Sequence, residues 1–408
     1  MKTLAELIGQ PSGGAPANTG FLAQFGMERN PFPTARTILP AVMYNQTAAL
    51  SEFASRVQAV LGDAPQKRSM AVIGGTGGGK SHFLRHCQYL FERHVKDFAH
   101  GYVSIEFLAG TNSVAQMLRE VLRRADEVVK ERGEYDLLAA LTRGMENQDD
   151  LSPVRQTDLK NVIQLLYRAS SDNFTPPDRD RAMTFDPLRE LAKRWLAGAT
   201  LSATERKYLG VYSRLGTASM MTRVVTELLS FAHRRKLICG ILICIDEVEA
   251  IFSGQSSSGR TQTFLQDLRY LFDEAAKGDD GYSLMIVSAS TTTGTTSLRD
   301  FNYPLYQRLG FEGDQRILLE PINDLDEVMN FAREYINYEI GRASEDFKGT
   351  NLSDPDKFLS VDEYQEAYSA ASSATRELSL RSAGSVNQGQ LLEALHSMVE
   401  GKKRSMSA

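Results

Sequence analysis

Residues 70–87 read MAVIGGTGGGKSHFLRHC. Five glycines crowd residues 74–79, a lysine and a serine follow, and then the spacing turns helical. Gly74-Gly75-Thr76-Gly77-Gly78-Gly79-Lys80-Ser81 satisfies the pattern G-x-x-x-x-G-K-[ST]. The physics accounts for each position. Glycines reach positive φ and leave no Cβ between the backbone and an anion. Their N–H groups can curl round a phosphate, and the next helix points its N-terminus at the same charge. Lys80 is expected to reach the β and γ phosphates, and the Ser81 hydroxyl to ligate Mg²⁺, so the cofactors expected are ATP and Mg²⁺. The context suits this reading: an apolar strand over 69–74 precedes the loop and a helix over 80–91 follows it.

Far downstream, residues 241–252 read ILICIDEVEAIF and place Asp246 and Glu247 at the end of a second apolar strand. An acidic pair there is costly without a task. Asp246 fits the holder of the Mg²⁺ shell, and Glu247 fits the base that orients or activates the attacking water. Glu247 argues for hydrolysis, because a protein that only holds ATP can do without it. Glu249 reads as a surface residue.

Outward from these two sites, strands are predicted at 102–107, 284–287 and 316–319, with helices at 45–61, 114–130 and 261–277. Between 131 and 236 there is no strand signal, only helical pattern interrupted by TPPDRD and LAGATLS. Strands alternating with helices predict a parallel sheet covered on both faces, a three-layer αβα P-loop NTPase fold. The predicted organisation is a flexible arm over 1–20, the first part of a nucleotide-binding domain over 21–130, a helical insertion over 131–236, the second part of the domain over 237–321, and a C-terminal helical lid over 322–408.

The bulk composition narrows the class. The chain has 408 residues, 42% hydrophobic and 24% charged, an ordinary globular balance. A net charge of −5 excludes a polycation, so any nucleic-acid contact needs a local basic surface. Cys87, Cys239 and Cys244 stand at no metal-ligand spacing and read as reduced thiols. The longest apolar run, 237–245, is too short to span a bilayer, so a cytoplasmic protein without a membrane partner is expected.

With these residues in hand, the chain resembles the AAA+ ATPases over about residues 20–400. The resemblance implies a polar sensor residue at the end of the strand 284–291, with Ser290 and Thr291 as candidates. It implies an arginine finger in Tyr303-PLYQRLGF-Phe311, where Arg308 would reach the ATP of a neighbouring subunit and Arg299 is the rival. Gly384-SVN-Asn387 has Asn where family members carry a second sensor arginine, so either Arg381 substitutes or that sensor is absent. The lead-in FGMERNPFPTARTILP is similar to that of ExeA-like and transposition-regulator ATPases. Short words such as Trp195-LAG and Gly240-ILICIDEVE resemble P-loop proteins of BREX-type phage-defence loci.

Several features bear on a partner. Arg119, Arg123 and Arg124 share a helix, residues 233–236 read HRRK, and 253–260 form a polar loop ending in Arg260. Such groups can bind phosphates without reading sequence; they also serve as solvated faces and helix ends. Trp195 reads as core. Two functions stay open: a self-assembling ATPase acting on DNA or a DNA-bound complex, or an ATP-gated switch that recruits an effector protein. A protein-unfolding motor is disfavoured, since no aromatic-hydrophobic-Gly pore loop follows the second strand.

Overall fold

A computed structural model describes residues 20–34, 37–75, 77–104, 113–143, 145–170, 184–252, 258–275, 281–313, 316–346, 357–378 and 386–407. The chain divides into two compact units. One is Gln46–Glu320; the other joins the residues before Gln46 to those from Pro321 onward.

The larger unit runs α1 (Thr47–Val60), β1 (Lys67–Ile73), α2 (Lys80–His94), β2 (Phe98–Ser104), α3 (Ser113–Glu131), α4 (Leu137–Arg143), α5 (Thr157–Ala169), α6 (Phe185–Leu196), α7 (Ala203–Leu209), α8 (Ala218–Arg234), β3 (Gly240–Asp246), α9 (Ser258–Glu274), β4 (Ser283–Ser290), α10 (Thr292–Phe301), α11 (Tyr303–Arg308) and β5 (Arg316–Leu318). The five strands form one sheet in the order β2-β3-β4-β1-β5, and every pairing is parallel. Parallel strands require crossover helices, which cover both faces. On one face Ile241, Ile243 and Ile245 of β3 join Leu284 and Ile286 of β4 in a core shared with α3, α8 and α9. On the other, the Cys244 thiol reaches the Leu84 carbonyl of α2 at 3.7 Å. This is the expected three-layer P-loop architecture, with the root of the glycine loop at the end of β1 and Asp246 at the end of β3, on either side of β4.

Two strands are longer than the sequence predicts, for identifiable reasons. β2 starts at Phe98, four residues early, through Ala99-His100-Gly101, which carry little strand signal. His100 is buried and its Nδ1 pairs with Gln88 of α2 at 2.9 Å. Gly101 is there because α3 lies against it: a Cβ would stand 3.1 Å from Val121. The expected continuation of this strand to 107 falls outside the described residues. β4 runs on to Ser290 because its polar end is buried, with Ser288 Oγ donating to Leu309 O at 3.1 Å.

Residues 131–236 supply α4–α8 and share a single core with the sheet. Trp195, 1% exposed, sits in that core and donates to Ser213 O at 3.1 Å. Buried charges pin the layer. Asp136 Oδ1 caps α4 through Ala139 N, and Oδ2 faces Arg189 Nε at 3.1 Å, an ion pair bent away from hydrogen-bond geometry. Lys193 bridges Asp136 and Asp126 at 3.4 and 3.3 Å.

The smaller unit contains α12 (Leu325–Asp346), α13 (Val361–Leu378) and α14 (Gln388–Ser407). The lead-in packs within this smaller unit. Phe21 and Phe25 pack on Phe358 with ring centroids 5.0 and 5.1 Å apart, Arg29 pairs with Glu339 at 3.0 Å, and His396 Nδ1 meets Phe32 O at 2.7 Å. An aromatic-rich extended segment reads as a lead-in from sequence, but its rings need a core, and the C-terminal helices provide one.

Candidate functional site

The site lies where β1, β3 and β4 end. Gly74 N donates to Ser290 O at 3.3 Å, which ties the root of the glycine loop to the end of β4. Gly77 and Gly79 adopt φ of 74° and 81°, so the turn needs residues that tolerate the left-handed region. A Cβ at Gly75 would meet no protein atom within 4 Å, so the bare face of the loop opens outward, as a phosphate cradle requires. α2 then starts at Lys80, with Ser81 in its first turn. Lys80 is 8% exposed and its ammonium folds back onto Gly74 O (3.0 Å) and Gly75 O (2.8 Å). Burial pushes its pKa down, opposed by the charges of Glu249, then Asp246, then Glu247.

Asp246 is 2% exposed at the end of β3, in register with Ser104 of β2. Its Oδ1 accepts the Glu247 N–H at 2.9 Å and its Oδ2 accepts the Tyr102 hydroxyl at 2.6 Å. The carboxylate is thus oriented, and each oxygen keeps a lone pair. Burial and the Asp246 charge hold Tyr102 in its protonated form. The Arg85 guanidinium of α2 lies 3.3 Å from the centre of the Tyr102 ring, so the helix that follows the phosphate loop braces the residue that orients Asp246.

Glu247 has φ 54°, one of four non-glycine residues at positive φ among those described. Backbone strain of this kind costs about 1–3 kcal/mol and clusters at functional sites. Its side chain is exposed, and Oε2 accepts from Ser104 Oγ at 3.3 Å.

The residues fit the ligands expected of them. Glycines at positive φ and a buried ammonium suit a nucleotide phosphate. No cluster of three or more His, Cys, Asp or Glu among the described residues can hold a metal alone. A Ser81 hydroxyl with the Asp246 carboxylate suits Mg²⁺, which keeps waters and substrate phosphates in its shell.

Other expected site residues fall out unevenly. Ser290 is fully buried at the end of β4, with Oγ lacking a hydrogen-bond partner. Thr291 lies just past the strand and N-caps α10 through Gly294 N at 3.1 Å. Arg308 ends α11 and is held by Asp273 of α9, Nε to Oδ1 at 2.8 Å, and by Pro304 O at 3.1 Å. Arg299 is exposed and pairs with neighbouring Asp300 at 3.2 Å. Asn387 caps α14 through Gly389 N at 2.9 Å. Thr76 and Arg381 lie outside the described residues, as do most of the 253–260 loop and the side chain of Arg260.

Two readings are corrected. Glu249 is not a surface residue: it is half-buried, with Oε2 shielded from solvent. The local sequence hides this, because the shielding comes from α10, whose Gly294 backbone packs against Glu249. The arginines of α3 are not an open basic face either. Arg123 pairs with Glu120 and Glu127, Arg124 with Glu92 (2.9 Å), Glu120 (3.2 Å) and Glu127 (2.9 Å), and Arg119 donates to Ala197 O at 2.8 Å. Acids one turn away along the helix were visible in the sequence and cancel the charge. In the 233–236 cluster, Arg235 reaches Asp150 at 3.4 Å, and Lys236 O accepts from Arg132 at 2.6 Å. Sequence reasoning missed Tyr102 and Arg85, since neither belongs to a spacing pattern.

No protein-family model matches the sequence, and no curated protein matches it. Among solved structures, the chain is similar to the ORC2 protein of Aeropyrum pernix in its ADPNP-ADP complexes, with a TM-score of 0.42 and 12% identity, covering 93% of this chain and 73% of that one. The ADP form of the same protein gives a TM-score of 0.37 and 11% identity, covering 89% and 70%. Among the described residues, no helix is long and apolar enough to cross a membrane.

Proposed function

We propose that the chain is an AAA+-type ATPase that hydrolyses ATP to ADP and phosphate with Mg²⁺, assembles with itself, and acts on DNA or a DNA-bound complex. The observation that carries the hydrolytic part is the meeting of a glycine loop, a buried lysine, an oriented Asp246 and a strained Glu247 at one sheet edge. The loop N–H groups and Lys80 bind and orient the phosphates. Ser81 and Asp246 would hold Mg²⁺, which neutralises developing charge on the phosphoryl oxygens. Glu247 orients the attacking water and accepts its proton. Ser290 or Thr291 serves as the polar sensor of the reacting phosphate, and Arg381 remains a candidate nucleotide contact.

Arg308 is proposed as a finger toward the nucleotide of a second copy, in a ring or filament. That role requires it to leave Asp273, so assembly and release of this pair are coupled. A phage-defence or mobile-element setting is supported by the similarity of the lead-in and the 240–249 words to those families.

The paired charges of α3 favour a second reading of the partner: an ATP-gated switch that recruits an effector protein without itself touching DNA. Phosphate release measured against protein concentration, with and without duplex DNA, tests the account. Turnover per chain that rises with concentration and collapses in Arg308→Ala supports the trans finger, whereas a flat profile insensitive to that substitution contradicts it. DNA stimulation supports the first partner, and a Glu247→Gln variant that keeps biological function without turnover supports the second.

A further inference from the structure

Glu249 is the acid that the motif does not use. Its Oε2 is buried and has no hydrogen-bond partner. Buried polar atoms without partners are uncommon in native proteins and call for an explanation. Beside it, Ser290 Oγ is equally buried and equally unanswered. The two share one small space beneath the first turn of α10. Gly294 marks it: a Cβ there would stand 2.3 Å from Glu249 Cβ and 2.5 Å from Ser290 Oγ. A glycine is needed because these two side chains and the α10 backbone converge on one point. The space adjoins the phosphate loop, since Ser290 O accepts the Gly74 N–H.

The two glutamates that follow Asp246 thus flank it on different sides. Glu247 is exposed and meets Ser104 on β2, while the base of the Glu249 side chain and the Ser290 hydroxyl of β4 converge on Gly294. We propose that Glu249 is a positioning residue of the hydrolytic site that acts through Ser290. Its carboxylate accepts the serine hydroxyl proton in a hydrogen bond when nucleotide is bound, which leaves the serine oxygen to accept a hydrogen bond from the attacking water. Hydrogen bonds of this kind tighten only in the loaded complex. The charge of Glu249 also raises the Lys80 pKa, against the burial that lowers it.

This inference rests on the ATPase reading, and one experiment separates the two. Steady-state turnover is measured for wild type, Lys80→Ala, Glu249→Gln, Glu249→Asp, Ser290→Ala and the Glu249→Gln/Ser290→Ala pair, with equilibrium binding of a fluorescent non-hydrolysable ATP analogue and a melting curve for each. Wild-type turnover no greater than that of Lys80→Ala defeats the ATPase reading itself. With wild type active, Glu249→Gln and Ser290→Ala are each expected to lose about 10- to 100-fold in kcat, with analogue affinity within about twofold of wild type. The double variant is expected to be no worse than either single one, because the two residues act as one unit. Glu249→Asp, which keeps the charge but shortens the reach, is expected to lose turnover similarly and retain the fold if Glu249→Gln does not. Wild-type kcat in these Glu249 variants, multiplicative losses in the double variant, or losses that merely follow a lowered melting temperature would overturn the proposal.

Discussion

Buried charge appears in two regions of the larger unit, and it is treated differently in each. In the helical layer the buried carboxylates of Asp136 and Asp158 are answered. Asp136 has a backbone N–H and two cations, and Asp158 takes Tyr212 N at 3.1 Å and Ser213 N at 2.8 Å. At the carboxyl edge of the sheet the polar groups are oriented but unsaturated. Asp246 keeps lone pairs, Glu249 Oε2 and Ser290 Oγ have no partner, and Glu247 carries a strained backbone. The saturated carboxylates of Asp136 and Asp158 hold architecture, whereas Asp246 is oriented with lone pairs left for a ligand. The comparison can be broken by substitutions that dissociate turnover from stability.

The largest expected effect is on turnover. Glu247→Gln should lower kcat by about 100- to 10,000-fold while ATP still binds, read by single-turnover phosphate release alongside analogue titration. A residue at positive φ that is not glycine is relaxed little by this isosteric change, so the melting temperature should stay put. The converse is Asp136→Ala. Removing the buried carboxylate takes one anionic partner from each of Arg189 and Lys193, which keep Asp186 and Asp126, and removes the α4 cap, and up to about 3–5 kcal/mol of stability should be lost, measured by urea unfolding. Residual folded protein should still bind nucleotide.

A smaller effect is expected between the two regions' extremes, at Tyr102. Tyr102→Phe removes one hydrogen bond from Asp246 without touching the phosphate loop. Apparent Mg²⁺ affinity should fall about tenfold, read from Mn²⁺ binding by electron paramagnetic resonance in the presence of ADP, while metal-free ADP binding is unchanged. Equal loss of both would mean that the phenol only supports the fold.

The smallest effect concerns reactivity. Burial pushes the Cys244 thiol up to about 12 and raises Cys87 well above its usual value, whereas Cys239 is exposed, though also raised by burial and Asp97. A soluble thiol reagent near pH 8 should label Cys239 alone in the native protein and all three cysteines after unfolding. Native labelling at Cys244 would show that the β3–α2 layer opens.

The glycine loop and the acidic pair were legible because their chemistry demands residue types at fixed local spacing. The parallel sheet was legible because its apolar strands stand out from the helical pattern. What escaped was set by distant packing. His100 and Gly101 belong to β2 only because Gln88 and Val121 lie against them. Glu249 is partly buried because Gly294 lets α10 approach it closely. The lead-in joins α12–α14 because Phe358 and Tyr335 offer its rings a core. Arg308 was singled out through a family resemblance alone, and its hold on Asp273 depends on α9 and α11 meeting.

Phosphate release by the purified wild-type chain against Lys80→Ala, with Mg²⁺-ATP and with EDTA, tests the central claim most directly. Mg²⁺-dependent turnover is expected in wild type and should disappear in Lys80→Ala without a change in melting temperature. Equal rates in the two proteins, or ATP binding that is indifferent to the loss of the Lys80 ammonium, would contradict it.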